Sequence, residues 1–182
     1  EHIHIGSDEN HIDSRFPVQT VLRPQTEEFH DYRGYAGRIA GGIFKPQDEV
    51  TVLPSGFSSR IKTIETYDEK VEEAFAPMSV TITLEDDIDV GRGDMIVRSN
   101  NQPEPKQDIE VMLCWLNNKG PLPRAKYGVR HTSQEAKAMI KEVRYKLDIN
   151  TLHRNTDNLQ LNANDICRAV IRTTKPLLVD SY

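Results

Sequence analysis

Three histidines near the start of the chain have the spacing of a metal-binding group. His2 and His4 are separated by one residue, and His11 follows in the same polar segment. Histidines at positions i and i+2 can converge on one ion, and zinc accepts imidazole nitrogen as a ligand. Zinc usually takes three or four protein ligands, and no cysteine stands near these histidines. We therefore expect a polar linker with incidental histidines, and a metal site is the alternative.

An acidic run is the second candidate site, because carboxylate oxygens are the ligands that Mg²⁺ and Ca²⁺ prefer. It consists of Glu85, Asp86, Asp87 and Asp89. The run lacks the alternating spacing, closed by a glycine, with which a calcium loop wraps one ion. We expect a solvated loop that leaves the strand predicted for residues 79–84.

His131, inside Arg130-His131-Thr132, could in principle act as a general base. A base needs a nucleophile or a substrate pocket beside it. No Ser–His–Asp or Cys–His order is visible, so we expect a structural histidine at a strand end. The tripeptide Arg92-Gly93-Asp94 spells an integrin-binding sequence. We interpret it as a chance match in a tight turn that the glycines permit.

The sequence contains no nucleotide-binding motif of the P-loop type. Neither G-x-x-x-x-G-K-[ST] nor the base-reading N-K-x-D occurs in its 182 residues. Without the first motif there is no cluster of backbone N–H groups to hold phosphates and no lysine for the outer ones. We therefore expect this chain alone to bind neither GTP nor ATP.

Composition indicates a compact protein with one domain or two small ones. The formal net charge is −5 and the pI about 5.7, which argues weakly against bulk nucleic-acid binding, although a local basic patch remains compatible with it. Cys114 and Cys167 lie in apolar runs, and we expect two reduced, buried thiols. No apolar run approaches the ~18 residues of a membrane span, and we expect a cytoplasmic protein.

Alternating apolar residues predict β-strands in both halves of the chain. The pattern is clearest at residues 79–84, where Val80, Ile82 and Leu84 share one face. Residues 50–53 and 60–64 are shorter strands around a Pro-Ser-Gly turn. Residues 134–149 fit a helix in their first part and a strand in their second. We predict one long strand with a bulge near Lys141-Glu142, because barrels bend long strands at bulges.

Composition also predicts the domain boundaries. Residues 1–14 are polar and form a linker, and residues 15–100 form the first barrel. Two prolines and two asparagines make residues 101–107 an interdomain linker. Residues 108–182 form the second barrel, which starts with an alternating strand at Ile109.

The segment from Arg33 to Val50 carries a resemblance to a known family. It reads G-x-A-G-x-I-x-x-G-x-I/F-x-P-x-D-x-V, a strand, a glycine pair, a strand start and a proline-led turn, and resembles the second-domain barrel of translation elongation factor Tu-like GTPases. The runs at residues 15–19, 73–81, 84–97, 130–133 and 148–152 narrow the resemblance. Together they resemble the large, GTP-binding subunit of the bacterial ATP sulfurylase family (sulfate adenylyltransferase subunit 1).

The resemblance implies an all-β fold, two antiparallel β-barrels in tandem like the second and third domains of translation factors. The second barrel would lack its last strand. It also implies a parent protein in which a missing GTPase domain, with GTP and Mg²⁺, drives formation of adenosine 5′-phosphosulfate from ATP and sulfate. The catalytic small subunit would carry the adenylyl-transfer site, so no catalytic, cofactor or metal residue is assigned here. A parent protein fused to an adenylylsulfate kinase is a further alternative.

One polar and aromatic cluster is the candidate interface of the first barrel. Its members are Asp31, Arg33, Tyr35 and Arg38. In elongation factors the matching surface helps to hold the acceptor end of an aminoacyl-tRNA. Here we expect it to contact the small subunit or the GTPase domain, because Arg and Tyr are enriched at interfaces. An ordinary barrel rim and an aminoacyl-tRNA-binding module of a translation factor are the alternatives.

Overall fold

The structure, a computed structural model, describes residues 10–24, 32–122 and 124–180. These residues contain strands and no helix. Contacts divide the chain into two units, the first ending at Gln102 and the second beginning at Pro103, with Thr132–Gln134 grouped with the first. The prediction of an all-β fold is therefore confirmed.

The first unit is a closed antiparallel barrel. Its strands are β1 (Arg15–Leu22), β2 (Gly34–Arg38), β4 (Glu49–Leu53), β5 (Phe57–Glu65), β7 (Ser79–Leu84) and β8 (Met95–Arg98). They pair in the order β1-β2-β7-β5-β4-β8, and β8 closes the ring on β1. The short strands β3 (Ile43–Phe44) and β6 (Ala74–Phe75) form a separate pair. Closure leaves the barrel without free sheet edges, which would otherwise invite pairing with other chains.

Alternation along the strands builds the core of this barrel. Val80 and Ile82 of β7 are buried, as the period of two predicts. The rings of Phe16 and Phe44 meet edge to face with centroids 6.4 Å apart. Such aromatic pairs stabilise a core beyond the area that they bury. The predicted strand order around residues 33–53 is confirmed by β2, β3 and β4.

A pair of glycines after β2 lets the incoming chain pass close to the barrel. A Cβ on Gly42 would lie 2.3 Å from Cα of Ser14, and one on Gly41 would lie 2.7 Å from the carbonyl oxygen of Asp13. Gly42 also has a φ of +73°, a conformation that L side chains rarely adopt. Its N–H donates to the carbonyl of Asn10 at 2.6 Å. Glycine is thus required at both positions because the segment that enters the barrel occupies the space of a Cβ.

The second unit is an antiparallel sheet of long strands. Its strands are β9 (Glu104–Trp115), β10 (Tyr127–His131), β11 (Gln134–Leu147), β12 (Arg154–Asn155) and β13 (Asp165–Val179). The described strands pair in the order β10-β11-β13-β9, and β12 pairs with β11. A small core forms around Trp115, Leu161, Cys167 and Ala169.

Strand β11 confirms the prediction of one long bulged strand. Its register against β13 shifts between Ile140 and Glu142 and again between Val143 and Tyr145. Each shift leaves one residue unpaired, Lys141 and then Arg144. Bulges of this kind bend a strand and increase its twist. The helical reading of residues 134–143 is wrong, because cross-strand pairing with β13 decides between the two periods.

The predicted linker at residues 101–107 is too long. Strand β9 begins at Glu104, and Pro105 pairs with Leu178 of β13. Proline is compatible with this place because β9 lies at one end of the described pairing order, where a missing N–H breaks no ladder. The predicted start of the second unit's first strand at Ile109 is therefore five residues late.

The two cysteines are free, as predicted, but only one of them is buried. Cys167 is fully buried, whereas Cys114 is exposed. Cys114 pairs with Ile166, so it lies on the opposite face of the sheet from Cys167, which pairs with Leu113. The expectation of a buried Cys114 is wrong because the alternating run that contains it turns its even-numbered residues outward. Among the described residues, no helix is long and apolar enough to cross a membrane.

Candidate functional site

A polar cleft of about 800 Å³ lies at one end of the first barrel. Strands β2, β5 and β7 and the loop after β7 supply its walls. Both signs of charge line it, with Arg33 and Lys62 among the cations and Glu65 and Asp87 among the anions. The cleft brings together one part of the predicted interface and the predicted acidic run.

Arg33 is held at the rim of the cleft by two contacts. Its Nη1 donates to the carbonyl oxygen of Ile88 at 3.0 Å and forms an ion pair with the carboxylate of Asp87. A quarter of the side chain stays exposed. The guanidinium is therefore fixed in place and still accessible to a partner.

Tyr35 is a core residue and does not belong to an exposed interface. Its residue exposure is 1%, and its hydroxyl donates to the same Ile88 carbonyl at 2.9 Å. Burial raises the pKa of this phenol, while the neighbouring Arg33 acts in the opposite direction. The sequence-based placement of Tyr35 on the surface is wrong. Its role is to fix the carbonyl that also binds Arg33.

Arg38 lies away from Arg33. It is an exposed residue at the other end of β2, and its Nε donates to the carbonyl of Pro77 at 3.0 Å. Positions 33 and 38 differ by an odd number, so they face opposite sides of an extended strand. Asp31 lies outside the described residues. The three described members, Arg33, Tyr35 and Arg38, thus do not form one exposed patch.

Tyr32 and Glu65 form a polar network that the sequence reasoning missed. The Tyr32 hydroxyl donates to Glu65 Oε2 at 3.1 Å, and the Thr63 hydroxyl donates to Glu65 Oε1 at 3.0 Å. Burial, and then the hydrogen bond and charge of Glu65, raise the pKa of Tyr32 to about 12. The one local signal is Gly34, where a Cβ would lie 2.9 Å from the Tyr32 ring.

The acidic run after β7 is engaged with side chains of the barrel rather than gathered around a common centre. The Ser59 hydroxyl donates to Asp86 at 2.8 Å, and the Gln47 amide donates to Glu85 at 3.0 Å. Asp87 pairs with Arg33, and Asp89 lies 3.9 Å from Arg23. Among the described residues no group of three or more His, Cys, Asp or Glu side chains could hold a metal ion.

The remaining candidate residues are the histidines. The structure describes His11 and His131. His11 packs edge to face on Phe75, with centroids 6.4 Å apart, and His2 and His4 lie outside the described residues. His131 is the last residue of β10, and burial lowers its pKa against the opposing charge of Asp180.

The Arg92-Gly93-Asp94 segment forms the predicted tight turn. The Gly91 N–H donates to the Asp94 carboxylate at 2.8 Å, and Gly93 has a φ of +98°. A non-glycine residue at Gly93 would be strained by this backbone conformation. The tripeptide is thus explained by the geometry of the turn into β8.

The hydroxyl groups of the cleft are engaged in hydrogen bonds. The hydroxyls of Thr63 and Thr83 bond to each other at 2.8 Å, the Tyr32 hydroxyl donates to Glu65, and the Tyr35 hydroxyl donates to the Ile88 carbonyl. Nucleophilic catalysis requires a nucleophile that a base can deprotonate. The described lining residues contain no histidine or cysteine. What the geometry offers is a preorganised set of charges at a barrel end.

Relatives of known name match this chain along its whole length. The bifunctional enzyme CysN/CysC of Mycobacterium tuberculosis (strain ATCC 25618 / H37Rv) is 45% identical over 183 residues, which cover 100% of this chain and 30% of the relative. Sulfate adenylyltransferase subunit 1 of Bacteroides thetaiotaomicron is 40% identical over 190 residues, covering 100% of this chain and 38% of the relative. The chain is homologous to sulfate adenylyltransferase subunit 1 along its whole length. The resemblance inferred from the sequence is confirmed.

A family model and solved structures also match the chain. A model described as GTP-eEF1A C-terminal domain-like matches residues 108–182. Sup35 complexed with GDP superposes with a TM-score of 0.75 at 14% identity, over 94% of this chain and 41% of that one. Elongation factor SelB from Methanococcus maripaludis superposes with a TM-score of 0.71 at 18% identity, over 94% and 38%. At identities this low, a superposition shows the fold alone. The two superpositions confirm the predicted translation-factor type of fold.

The homologous region is a minor part of each relative. It spans 30% of the CysN/CysC enzyme and 38% of the Bacteroides subunit. The activity of those whole proteins therefore comes to this chain only as a proposal.

Proposed function

We propose that this chain is the barrel region of the GTPase subunit of a sulfate adenylyltransferase. It couples GTP hydrolysis in a separate GTPase domain to formation of adenosine 5′-phosphosulfate from ATP and sulfate. Similarity to subunit 1 over the whole of this chain carries the proposal. The relatives with that name or the name CysN/CysC are 37–45% identical, whereas the translation-factor structures share only the fold at 14–18% identity.

Several components of this proposal lie outside the chain. GTP and Mg²⁺ bind the GTPase domain, because the 182 residues contain no phosphate-binding loop of the P-loop type. A catalytic small subunit carries the adenylyl-transfer site, and the name "subunit 1" of the relatives supports a partner of this kind. We locate the assembly in the cytoplasm, where the ATP and GTP that it uses are made. The chain itself transmits a conformational signal and performs no chemistry.

The cleft of the first barrel is our candidate contact for the GTPase domain. Arg33 is the contact residue, since Asp87 and the Ile88 carbonyl hold its guanidinium at the rim with a quarter of its side chain exposed. Tyr35 supports it from the core by bonding the same carbonyl. Asp31 and Arg38 stay as candidate contacts from the sequence, each to be tested separately because Arg38 lies at the other end of β2. An Arg fixed before binding loses less side-chain entropy than a free one.

The proposal is tested with the full-length subunit and its small subunit. The measurement is the yield of adenosine 5′-phosphosulfate from ATP and sulfate with GTP, with a non-hydrolysable GTP analogue, and with neither. We expect GTP to raise the yield above the level reached without it, and the analogue to have no such effect. A yield that does not change with GTP contradicts the proposal.

A filter-binding assay with aminoacyl-tRNA tests the alternative of a translation factor on the same preparation. We expect no retention of charged tRNA. Tight retention, together with a yield insensitive to GTP, would move the assignment to the translation-factor class.

A further inference from the structure

Charge is distributed unequally between the two halves of the chain. Residues 1–102 contain 10 Lys and Arg against 19 Asp and Glu, a formal charge of −9. Residues 103–182 contain 13 Lys and Arg against 9 Asp and Glu, a formal charge of +4. The acidic whole-chain value therefore hides a basic second unit. Charge asymmetry of this kind points to an electrostatic role for one part of a chain.

The cations of the second unit concentrate on the outer face of its sheet. Arg168 and Arg172 of β13 alternate with the buried residues Cys167, Ala169 and Thr173, so they point away from the core. The two bulges of β11 add Lys141 and Arg144. Lys141 and Arg144 are three positions apart, so in a regular strand they would face opposite sides of the sheet. The bulges place both side chains on the exposed side.

Two carboxylates on β9 are each shared by two of these cations. Asp108 lies 2.6 Å from Arg172 Nη2 and 3.2 Å from Lys141 Nζ. Glu110 lies 2.8 Å from Arg168 Nε and 3.4 Å from Arg144 Nε. Their cationic partners lower the pKa of both carboxylates, that of Asp108 to about 2. Four cations thus share two anions, which leaves positive charge in excess on this face.

Aromatic and apolar side chains lie among the charges. Arg154 of β12 stacks over the ring of Tyr145, 4.9 Å from its centroid, and Tyr145 stands opposite Arg168 across the β11–β13 pair. Met112, opposite Arg168 on β9, is 47% exposed. Arg, Tyr and Met are the residue types that are enriched in protein–protein interfaces. We define the basic face by its cations, carboxylates and apolar members: Asp108, Glu110, Met112, Lys141, Glu142, Arg144, Tyr145, Arg154, Arg168, Arg172.

We propose that the basic face of the second unit is a docking surface for an acidic protein surface. On the proposed function, on which this choice of partner rests, the occupant is the small subunit of the sulfate adenylyltransferase. Five cations against three carboxylates give the face a net charge of +2, so a complementary partner presents carboxylates around an apolar centre. Complementary charge steers encounter and suppresses wrong partners.

The composition of the face favours a protein over a nucleic acid. Asp108, Glu110 and Glu142 stand among the cations and would repel a phosphate backbone. Protein surfaces that bind nucleic acid typically show a strong basic field along a groove or stripe. A protein partner can place a carboxylate opposite each cation and a basic or neutral group opposite each carboxylate. Such a surface suits a face that carries both signs of charge.

The test measures the Kd of the full-length subunit for the small subunit by calorimetry at 50 mM and 300 mM salt. Arg172→Glu reverses one charge of the basic face. Arg60→Glu is the matched control in the first unit, since Arg60 has a similar exposure (53% against 55%) and a similar cross-strand partner, Glu49 at 2.9 Å. We expect Arg172→Glu to weaken binding at least about tenfold at 50 mM salt and Arg60→Glu to leave it within about twofold. We expect wild-type affinity to fall as salt rises.

Thermal unfolding of each variant shows whether it is folded, so that weaker binding is not mistaken for unfolding. The salt series uses only the wild-type subunit. If Arg172→Glu does not fold, Arg172→Gln removes the charge with less disturbance, and the salt dependence needs no variant. Equal affinities for wild type and a folded Arg172 variant, with no salt dependence, overturn the docking surface and leave the proposed function intact. A wild-type subunit that does not bind the small subunit at either salt overturns the proposed function and this partner with it. Binding of fluorescent tRNA that Arg172→Glu abolishes would replace the protein partner by a nucleic acid.

Discussion

The buried guanidinium of Arg15 joins the start of the first barrel to its end through Asn101. Arg15 Nη1 donates to the carbonyl oxygen of Asn101 at 2.7 Å, and Nη2 donates to the Asn101 side-chain oxygen at 2.9 Å. The Asn101 amide in turn donates to Asp13 at 3.0 Å. Arg15 is 6% exposed, and its bonds to Asn101 are partly buried. The chain that enters the barrel and the chain that leaves it are thereby held at one point.

Replacing Arg15 by Met should destabilise the first unit by about 3 kcal/mol, because the buried carbonyl acceptors lose a charged donor. The matched change Arg60→Met, at an exposed ion pair with Glu49, should cost less than about 1 kcal/mol. Urea unfolding of the chain followed by fluorescence or circular dichroism measures both. Equal costs for the two variants would show that the Arg15–Asn101 contact contributes no more than a surface pair.

A second prediction separates steric overlap from backbone strain at two glycines. Gly42 and Gly56 both have a positive φ, +73° and +79°, but only Gly42 has backbone atoms where a Cβ would be. Gly56→Ala should cost about 1 kcal/mol, the penalty of the left-handed conformation alone. Gly42→Ala should cost about 4 kcal/mol or prevent folding of the first unit. Thermal unfolding of the two variants would contradict this if their midpoints were the same.

These examples show which parts of the fold the sequence determines locally. The glycine pair and the alternation at residues 79–84 predicted β2, β3, β4 and β7 because both signals lie within a few residues of the strands that they specify. The bulged β11 was predicted for the same reason. Pro105 misled the prediction of the linker, because its tolerance in β9 depends on the place of that strand in the sheet.

The candidate site was predicted less well because its contacts join distant residues. Tyr32 and Glu65 are 33 positions apart, and Arg33 and Ile88 are 55 apart. Composition cannot show such pairings. The period of two could have separated Arg38 from Arg33 and Tyr35, but the four residues were grouped by closeness in sequence.

The pKa of Tyr32 gives a prediction in alkaline solution. It is raised from its ordinary value of 10.0 to about 12, first by burial and then by Glu65. Because the folded pKa lies above the unfolded one, the stabilisation is complete below pH 10 and is lost as the pH rises from 10 to 12. The difference in absorbance at 295 nm between wild type and Tyr32→Phe should titrate near pH 12. Glu65→Gln should lower that midpoint but not restore the ordinary value, because burial is the larger cause. A wild-type midpoint near pH 10 would contradict the partly buried Tyr32–Glu65 contact.

The two thiols should differ in reactivity. Cys114 is exposed, and we expect it to react with Ellman's reagent in the native protein. Cys167 is buried, and burial, followed by the charges of Asp165 and Cys114, raises its pKa, so it should react only after unfolding. Native wild type should give one thiol, native Cys114→Ser none, and unfolded wild type two. A second rapid thiol in the native protein would show that the sheet does not cover Cys167.

The most direct test of the central claim exchanges these barrels within the full-length subunit of the assembled enzyme. In one chimera the homologous region of the Bacteroides thetaiotaomicron subunit 1, 40% identical, replaces this chain. In the other chimera, the barrels of SelB replace this chain. They share its fold with a TM-score of 0.71 at 18% identity. The measured quantity is GTP hydrolysed per adenosine 5′-phosphosulfate formed. We expect the first chimera to keep the wild-type ratio and the second to hydrolyse GTP at least about tenfold in excess of product, since fold without the specific contact residues cannot couple the two reactions. A SelB chimera with the wild-type ratio would contradict the claim that this chain couples GTP hydrolysis to adenylyl transfer.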